Sequence, residues 1–208
     1  MSYSKQVFIN CPFDSGYRPM IERLLFILEF CGLEVLMSVN KSSSHDRLLE
    51  ISKMMYDSKF SIHDLSRNQS KKKGEYARFN MPFEFGIDFG IAQFAKGKKN
   101  KAMVVLDNEA HEYDRYLSDL SGRDILYHKN DPLSLFEIIP NWLSIHTNEV
   151  YDSPYLMRSF YQEWKKDYKQ ILKAKGYDLR SIAAVPLTTY HMLLKPWLKR
   201  WKKAEGLL

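Results

Sequence analysis

Only two cysteines, Cys11 and Cys31, occur in the 208 residues. That is too few for a disulfide framework, and neither has a CxxC partner or a histidine-rich neighbourhood of metal-site spacing, so no metal site is expected. Long apolar runs are also missing. No stretch approaches the roughly 18 residues needed to span a bilayer. The opening MSYSKQVFIN lacks the basic, apolar and small-residue order of a signal peptide. A cytoplasmic protein with no membrane partner is expected. No internal repeat occurs, and no low-complexity stretch beyond SKKKGE, which leaves consecutive βα units as the organisation.

Against these absences, hydrophobic residues make up 45% and charged residues 27%, enough apolar surface for a folded core and far from the composition of disorder. The net charge of +6 is unevenly placed. Residues 1–150 carry 19 Lys/Arg against 20 Asp/Glu, whereas residues 151–208 carry 12 against 5. The basic character therefore belongs to the tail. Such a tail can hold nucleic acid or an acidic partner, but a charged helix face is more often simply solvated, so nucleic acid is the less favoured partner.

The alternation of elements is regular. QVFIN is a short β-branched and aromatic strand ending in the turn NCPFDSG. Ile21, Leu24, Leu25 and Leu28 then recur at helical spacing up to Gly32. LEVLMSV is a second strand. Leu48, Leu49, Ile51, Met54 and Met55 give the following helix a wide apolar stripe, and KFSIHDLS is the third strand. MPFEFGIDFGIAQFAKG suits either period, though its length and Pro82 in a first turn favour helix. KAMVVLD is a strand of the fully buried kind, DILYH a fifth strand, and DPLSLFEIIPNWLSI opens a helix at Asp131-Pro132. This pattern predicts an α/β fold, a three-layer flavodoxin-like parallel sheet of about five strands over residues 1–148, with a basic helical extension over 149–208.

In that extension Ser153, Pro154 and Gly176 bracket one helix, with Phe160, Trp164, Tyr168, Ile171 and Leu172 on one face. A second helix is expected over Thr188 to Lys203, interrupted at Pro196. The aromatic face is read as packing against its own domain or against a partner, a second copy included.

Open parallel sheets bind ligands beyond the strands' carboxyl ends, where strand order reverses. The first strand delivers Asn10, Cys11, Pro12, Phe13 and Asp14 to that edge. The third delivers His63, Asp64, Ser66 and Arg67, the next helix Asn80 and Glu84, and the fourth strand Asp107. With strand order 2-1-3-4-5, Asp14, Asp64 and Glu84 are expected near the switch point.

The blocks VFINCPFD, IHDLS, RFNMPFEFGIDFG, GKKNKAMVVLD and RYLSDLSGRDI resemble the nucleoside 2-deoxyribosyltransferase-like group, kin in fold to Toll/interleukin-1 receptor (TIR) domains, and a family of uncharacterised bacterial proteins sharing these blocks. The resemblance spans about two-thirds of the chain. It implies an N-glycosidic bond as the reacting centre, with Glu84 as the catalytic glutamate and Asp64 at the earlier acidic position, binding ribose or supporting Glu84. It also implies a role in bacterial anti-phage defence. A carboxylate beside the anomeric carbon stabilises or captures the oxocarbenium-like charge that develops as the bond breaks. The transferases carry a further acid just ahead of the glutamate, where this chain has Arg78, Asn80 and the more distant Glu75. Arg67 and Arg78 point to a substrate phosphate, because a guanidinium matches phosphate bidentately. A nucleotide or NAD is therefore expected as substrate, with no separate cofactor. Asn10, Phe13, Asp14, Ser66, Arg67, Arg78, Asn80 and Arg123 are the candidate substrate-binding residues.

Each residue has a plainer role open to it. Glu84 can serve as a first-turn carboxylate favourable to the helix dipole. Asp64 can cap the turn after its strand. His63, in an apolar strand, is read as a satisfied semi-buried histidine, and Cys11 as a small packed residue. Arg123 can grip a phosphate or close an ion pair. A non-catalytic module that senses a nucleotide and signals through the C-terminal helices remains the alternative to an enzyme.

Overall fold

The computed structural model describes residues 2–38, 44–67, 79–98, 100–110 and 125–205. Its strands are β1 (Gln6–Asn10), β2 (Glu34–Leu36), β3 (Phe60–Asp64), β4 (Ala102–Asp107) and β5 (Ile125–Tyr127). Its helices are α1 (Arg18–Phe30), α2 (Ser44–Asp57), α3 (Asn80–Phe94), α4 (Leu135–Thr147), α5 (Pro154–Ala174) and α6 (Leu187–Ala204). All four strand pairings are parallel and the order is β2-β1-β3-β4-β5. The fold is α/β and its strand order is flavodoxin-like, as the alternating pattern predicts. The order reverses between β1 and β3.

Two compact units emerge, Met1–Pro12 with Leu33–Asp131, and Phe13–Gly32 with Pro132–Leu208. This division differs from one at residue 148, because α1 and α4 cluster with the C-terminal helices. The first unit holds the sheet, α2 and α3. β1 and β3 are buried at every position, the signature of strands in the middle of a parallel sheet. Parallel pairing aligns Phe8 with Ser61 and Met103, and Asn10 with His63 and Val105, so these side chains share one face. Against that face α2 supplies Ile51, Met54 and Met55, and α3 supplies Ile87 and Ile91, around Phe8. Nearer the start of α3, Phe85 packs with Leu65 and Val105, and Phe89 closes around them.

Several elements differ from the sequence expectation. β2 is three residues long, because only Gln6 to Phe8 of β1 pair with it. The stripe on α2 is narrower than expected, with Leu48 and Leu49 exposed and only its Ile51, Met54 and Met55 side against the core. α4 starts at Leu135, after a turn that absorbs Asp131 to Ser134, and ends on Asn148 at φ 58°. α6 continues through Pro196, with Trp197 and Leu198 buried immediately beyond it.

The second unit is helical. Phe26 of α1 meets Phe136 of α4 and Tyr161 of α5 edge-on at 6.4 and 5.1 Å between ring centres. On α5, Trp164, Tyr168 and Leu172 are buried, and the Trp164 indole donates to the Tyr190 hydroxyl at 2.8 Å. That hydroxyl donates onward to the Glu22 carbonyl at 3.1 Å. The aromatic face of α5 is thus spent on packing within its own unit. Ser153 caps α5 by accepting from Leu156 N, and Gly176 follows its end at φ +81°.

Candidate functional site

The first unit is built around buried polar side chains at the carboxyl end of its central strands. Asn10, the last residue of β1, donates from Nδ2 to the Met81 carbonyl at 3.1 Å, tying the first turn of α3 to the strand's end. The same amide nitrogen lies 3.3 Å from His63 Nδ1 on β3. An amide nitrogen has no lone pair to offer, so Nδ1 is the acceptor and the imidazole carries its proton on Nε2. That proton points at Asp88 Oδ2, 2.9 Å away. Lys101 Nζ approaches Asp88 Oδ1 at 3.2 Å and donates to the carbonyls of Met55 and Ser58 at 2.8 Å each.

The His63, Asp88 and Lys101 side chains have no solvent exposure. Burial alone would raise the Asp88 pKa, but the hydrogen bond and charge of His63 and the charge of Lys101 outweigh it and hold the carboxyl below the usual range. Lys101 is pushed down by burial, with Asp88 acting the other way. His63 is therefore satisfied, as read from sequence, and fully rather than partly buried. Asp88 and Lys101 escaped the sequence reading. The available signal was an acid four residues after Glu84 inside the apolar run FEFGIDFGI.

Asp64 follows His63 directly, so the pleat turns it to the opposite face of the sheet. Its Oδ1 accepts from Ser66 N at 3.0 Å and from Ser66 Oγ at 2.5 Å, an Asx turn that ends β3. Its Oδ2 lies 3.1 Å from His128 Nε2, just beyond β5. His128 Nδ1 accepts from Asn130 N at 3.0 Å, so the imidazole proton faces Asp64. Both the Asp64 and the His128 side chains are fully buried.

Glu84 stands apart from both networks. It is half-buried one turn into α3, and burial pushes its pKa up while Arg47 of α2 draws it back down. The carboxylate thus sits just past the first turn of α3, within reach of the charge of Arg47 near the start of α2. Phe79 and Phe83, one helical turn apart and both largely exposed, precede it in sequence. α3 covers the sheet face that carries His63, whereas Asp64 turns to the opposite face toward His128, so the structure does not join Glu84 and Asp64 as a carboxylate pair.

The remaining candidates are distributed. Asn80 is exposed at the start of α3, Ser66 is bound to Asp64, and Arg67 is half-buried beyond β3. Phe13 and Asp14 belong to the second unit, where Asp14 Oδ1 accepts from Tyr17 N at 3.1 Å ahead of α1 and Phe13 is exposed. Arg78, Arg123 and Glu75 lie outside the described residues. Asp107 Oδ1 is engaged by Asn108 N at 2.7 Å. Cys11 and Cys31 are buried free thiols, and burial pushes that of Cys31 up to about 12. Beyond β4 and β5 lies a cavity of about 410 Å³ lined by Asn108, Glu109, Ala110, Tyr127, Lys129 and Asn130. Lys129 and Asn130 both adopt positive φ there.

Among the described residues no group of three or more His, Cys, Asp or Glu could hold a metal ion, and no helix is long and apolar enough to cross a membrane. No protein-family model, curated protein or solved structure matches the chain.

Proposed function

We propose that the first unit acts on the N-glycosidic bond of a nucleotide, NAD or a relative, with Glu84 as nucleophile or as electrostatic stabiliser of the sugar cation. The observation that carries this reading is the position of Glu84. A half-buried carboxylate with a raised pKa stands just past the first turn of α3, and that turn is tied through the Met81 carbonyl to Asn10 at the end of β1, the strand at which the order reverses and sheets of this order take their ligands. The resemblance of the sequence blocks to the nucleoside 2-deoxyribosyltransferase-like and TIR-like proteins supports the same assignment, since it implies the catalytic glutamate at this residue.

The chemistry follows from the surroundings. Partial desolvation leaves the Glu84 carboxylate poorly stabilised alone and well matched to a developing positive charge on the ribose ring. Phe79 and Phe83 offer exposed aromatic faces on which a base can stack. Asn80 can orient a ribose hydroxyl, and Arg47 and Arg67 can bind phosphate. Asn10, His63, Asp88 and Lys101 do not touch substrate in this reading. They are positioning residues that fix the α3 turn carrying Glu84 against β1. Asp64, sealed between Ser66 and His128, likewise shapes the end of β3.

The test is to incubate the protein with nucleosides, nucleotides and NAD and to separate free bases by chromatography. Release of base by the parent, reduced at least about a hundredfold by Glu84→Gln, supports the proposal. Turnover by the variant at the parent rate ends it. A second reading is favoured by the burial of Asp64, which leaves the expected pair of open carboxylates incomplete. In it the same site binds a nucleotide without cleaving it and signals to a partner. Calorimetric binding with no product would select that reading.

A further inference from the structure

The stripe of α5 opposite its packed face carries Gln162, Lys165, Lys166, Lys169 and Gln170, all exposed, around a shallow depression of about 350 Å³. At 1.5 Å per residue this stripe runs for about 12 Å along the helix. The two carboxylates of α5 do not neutralise it. Glu163 Oε2 accepts from the Trp201 indole at 3.0 Å, and Asp167 Oδ2 accepts from the Trp197 indole at 2.8 Å. Both acids are thereby held on the side of α5 that meets α6. Among the described residues Lys165, Lys166 and Lys169 have no ion-pair partner, and Lys165 and Lys169 repel each other at i,i+4. The fold segregates charge on this helix, leaving one face cationic and flanked by amides.

We propose that this face of α5 binds the phosphodiester backbone of a nucleic acid. It is independent of the Glu84 reading, since every residue involved belongs to the second unit. Along a duplex each strand presents a phosphate every 3.4 Å of axis, so a row of about 12 Å meets three or four of them. Lysine supplies the charge, and glutamine amides can donate to phosphate and sugar oxygens. A lipid surface suits the face less well. A helix lying in a membrane interface buries an apolar stripe in the acyl boundary, and the stripe of α5 is already occupied by Trp164, Tyr168 and Leu172 packing.

The full chain is titrated into labelled DNA and RNA, duplex and single-stranded, over a range of salt concentrations. Three lysine-phosphate contacts predict a slope of log affinity against log salt of about −2.7 on duplex and about −2.1 on single strands. The Lys165→Gln/Lys166→Gln/Lys169→Gln variant is expected to lose that part of the slope while melting like the parent, because all three side chains are exposed. A control, Lys5→Gln/Lys53→Gln/Lys96→Gln, removes the same charge from the first unit and is expected to retain it. Equal slopes in parent and α5 variant, or equal losses in both variants, overturn the proposal. So does binding to phosphatidylserine vesicles by a protein that ignores every nucleic acid at the same ionic strength. The relative affinities for DNA and RNA, duplex and single strand, at one salt concentration identify which form the face prefers.

Discussion

Replacing Asp88 by asparagine keeps the side chain's shape and removes one charge from the buried His63–Asp88–Lys101 network. The Lys101 ammonium then faces an amide inside a site with no solvent exposure, with only the Met55 and Ser58 carbonyls as partners. Breaking a buried pair from one side costs about 3 to 5 kcal/mol, because the remaining charge keeps its desolvation penalty without compensation. For a chain of this size about 1 kcal/mol lowers Tm by roughly 2 to 4 °C, so a fall on the order of 10 °C is expected. Adding Lys101→Met removes the stranded charge. The double variant should therefore be more stable than Asp88→Asn alone, with a coupling of about 2 to 3 kcal/mol in a double-mutant cycle followed by urea unfolding. A loss under about 1 kcal/mol for Asp88→Asn, or additive single effects, would refute the network as drawn.

Glu84→Gln should act oppositely on stability. A carboxyl whose folded pKa is raised binds its proton more tightly in the native state, so its contribution is fully present below the unfolded value of about 4.5 and is lost as pH rises through the folded pKa. The variant should match the parent in acid and exceed it at neutral pH, as read by urea midpoints at both. Gly32→Ala isolates a backbone effect: its φ is +77° and an added Cβ meets nothing within 4 Å. A loss of about 1 to 2 kcal/mol is expected from the left-handed conformation alone. Trp164→Phe removes the indole donor to Tyr190 while keeping ring packing, and should cost about 1 to 2 kcal/mol in thermal unfolding.

The strands and most helices were legible because their periods are clean. QVFIN, FSIHD and AMVVLD read as strands, the last of the buried kind, and the Ser153, Pro154 and Gly176 signals bracket α5. The start of α4 was not legible, since Asp131-Pro132 carries the chemistry of both a helix entry and a turn. Of the site, Glu84 and the polar strand ends could be read from the rule that ligands gather at carboxyl edges. What escaped depends on pleat direction and on distant pairing. His63 and Asp64 are adjacent in sequence, yet they face opposite sides of the sheet. The partners that claim them, Asp88 with Lys101 and His128, lie 25 or more residues away, in segments read as an apolar helix, a basic turn and a strand end.

On the proposed function a nucleotide lies beside Glu84, against the N-terminal parts of α2 and α3. Hydrogen exchange read by mass spectrometry, with and without saturating NAD or nucleotide, tests it directly. Ligand-dependent protection is expected to concentrate in peptides covering Arg47 to Ile51 and Met81 to Phe85. Protection confined to the cavity around Tyr127 to Asn130, or unchanged exchange throughout the first unit, would contradict it.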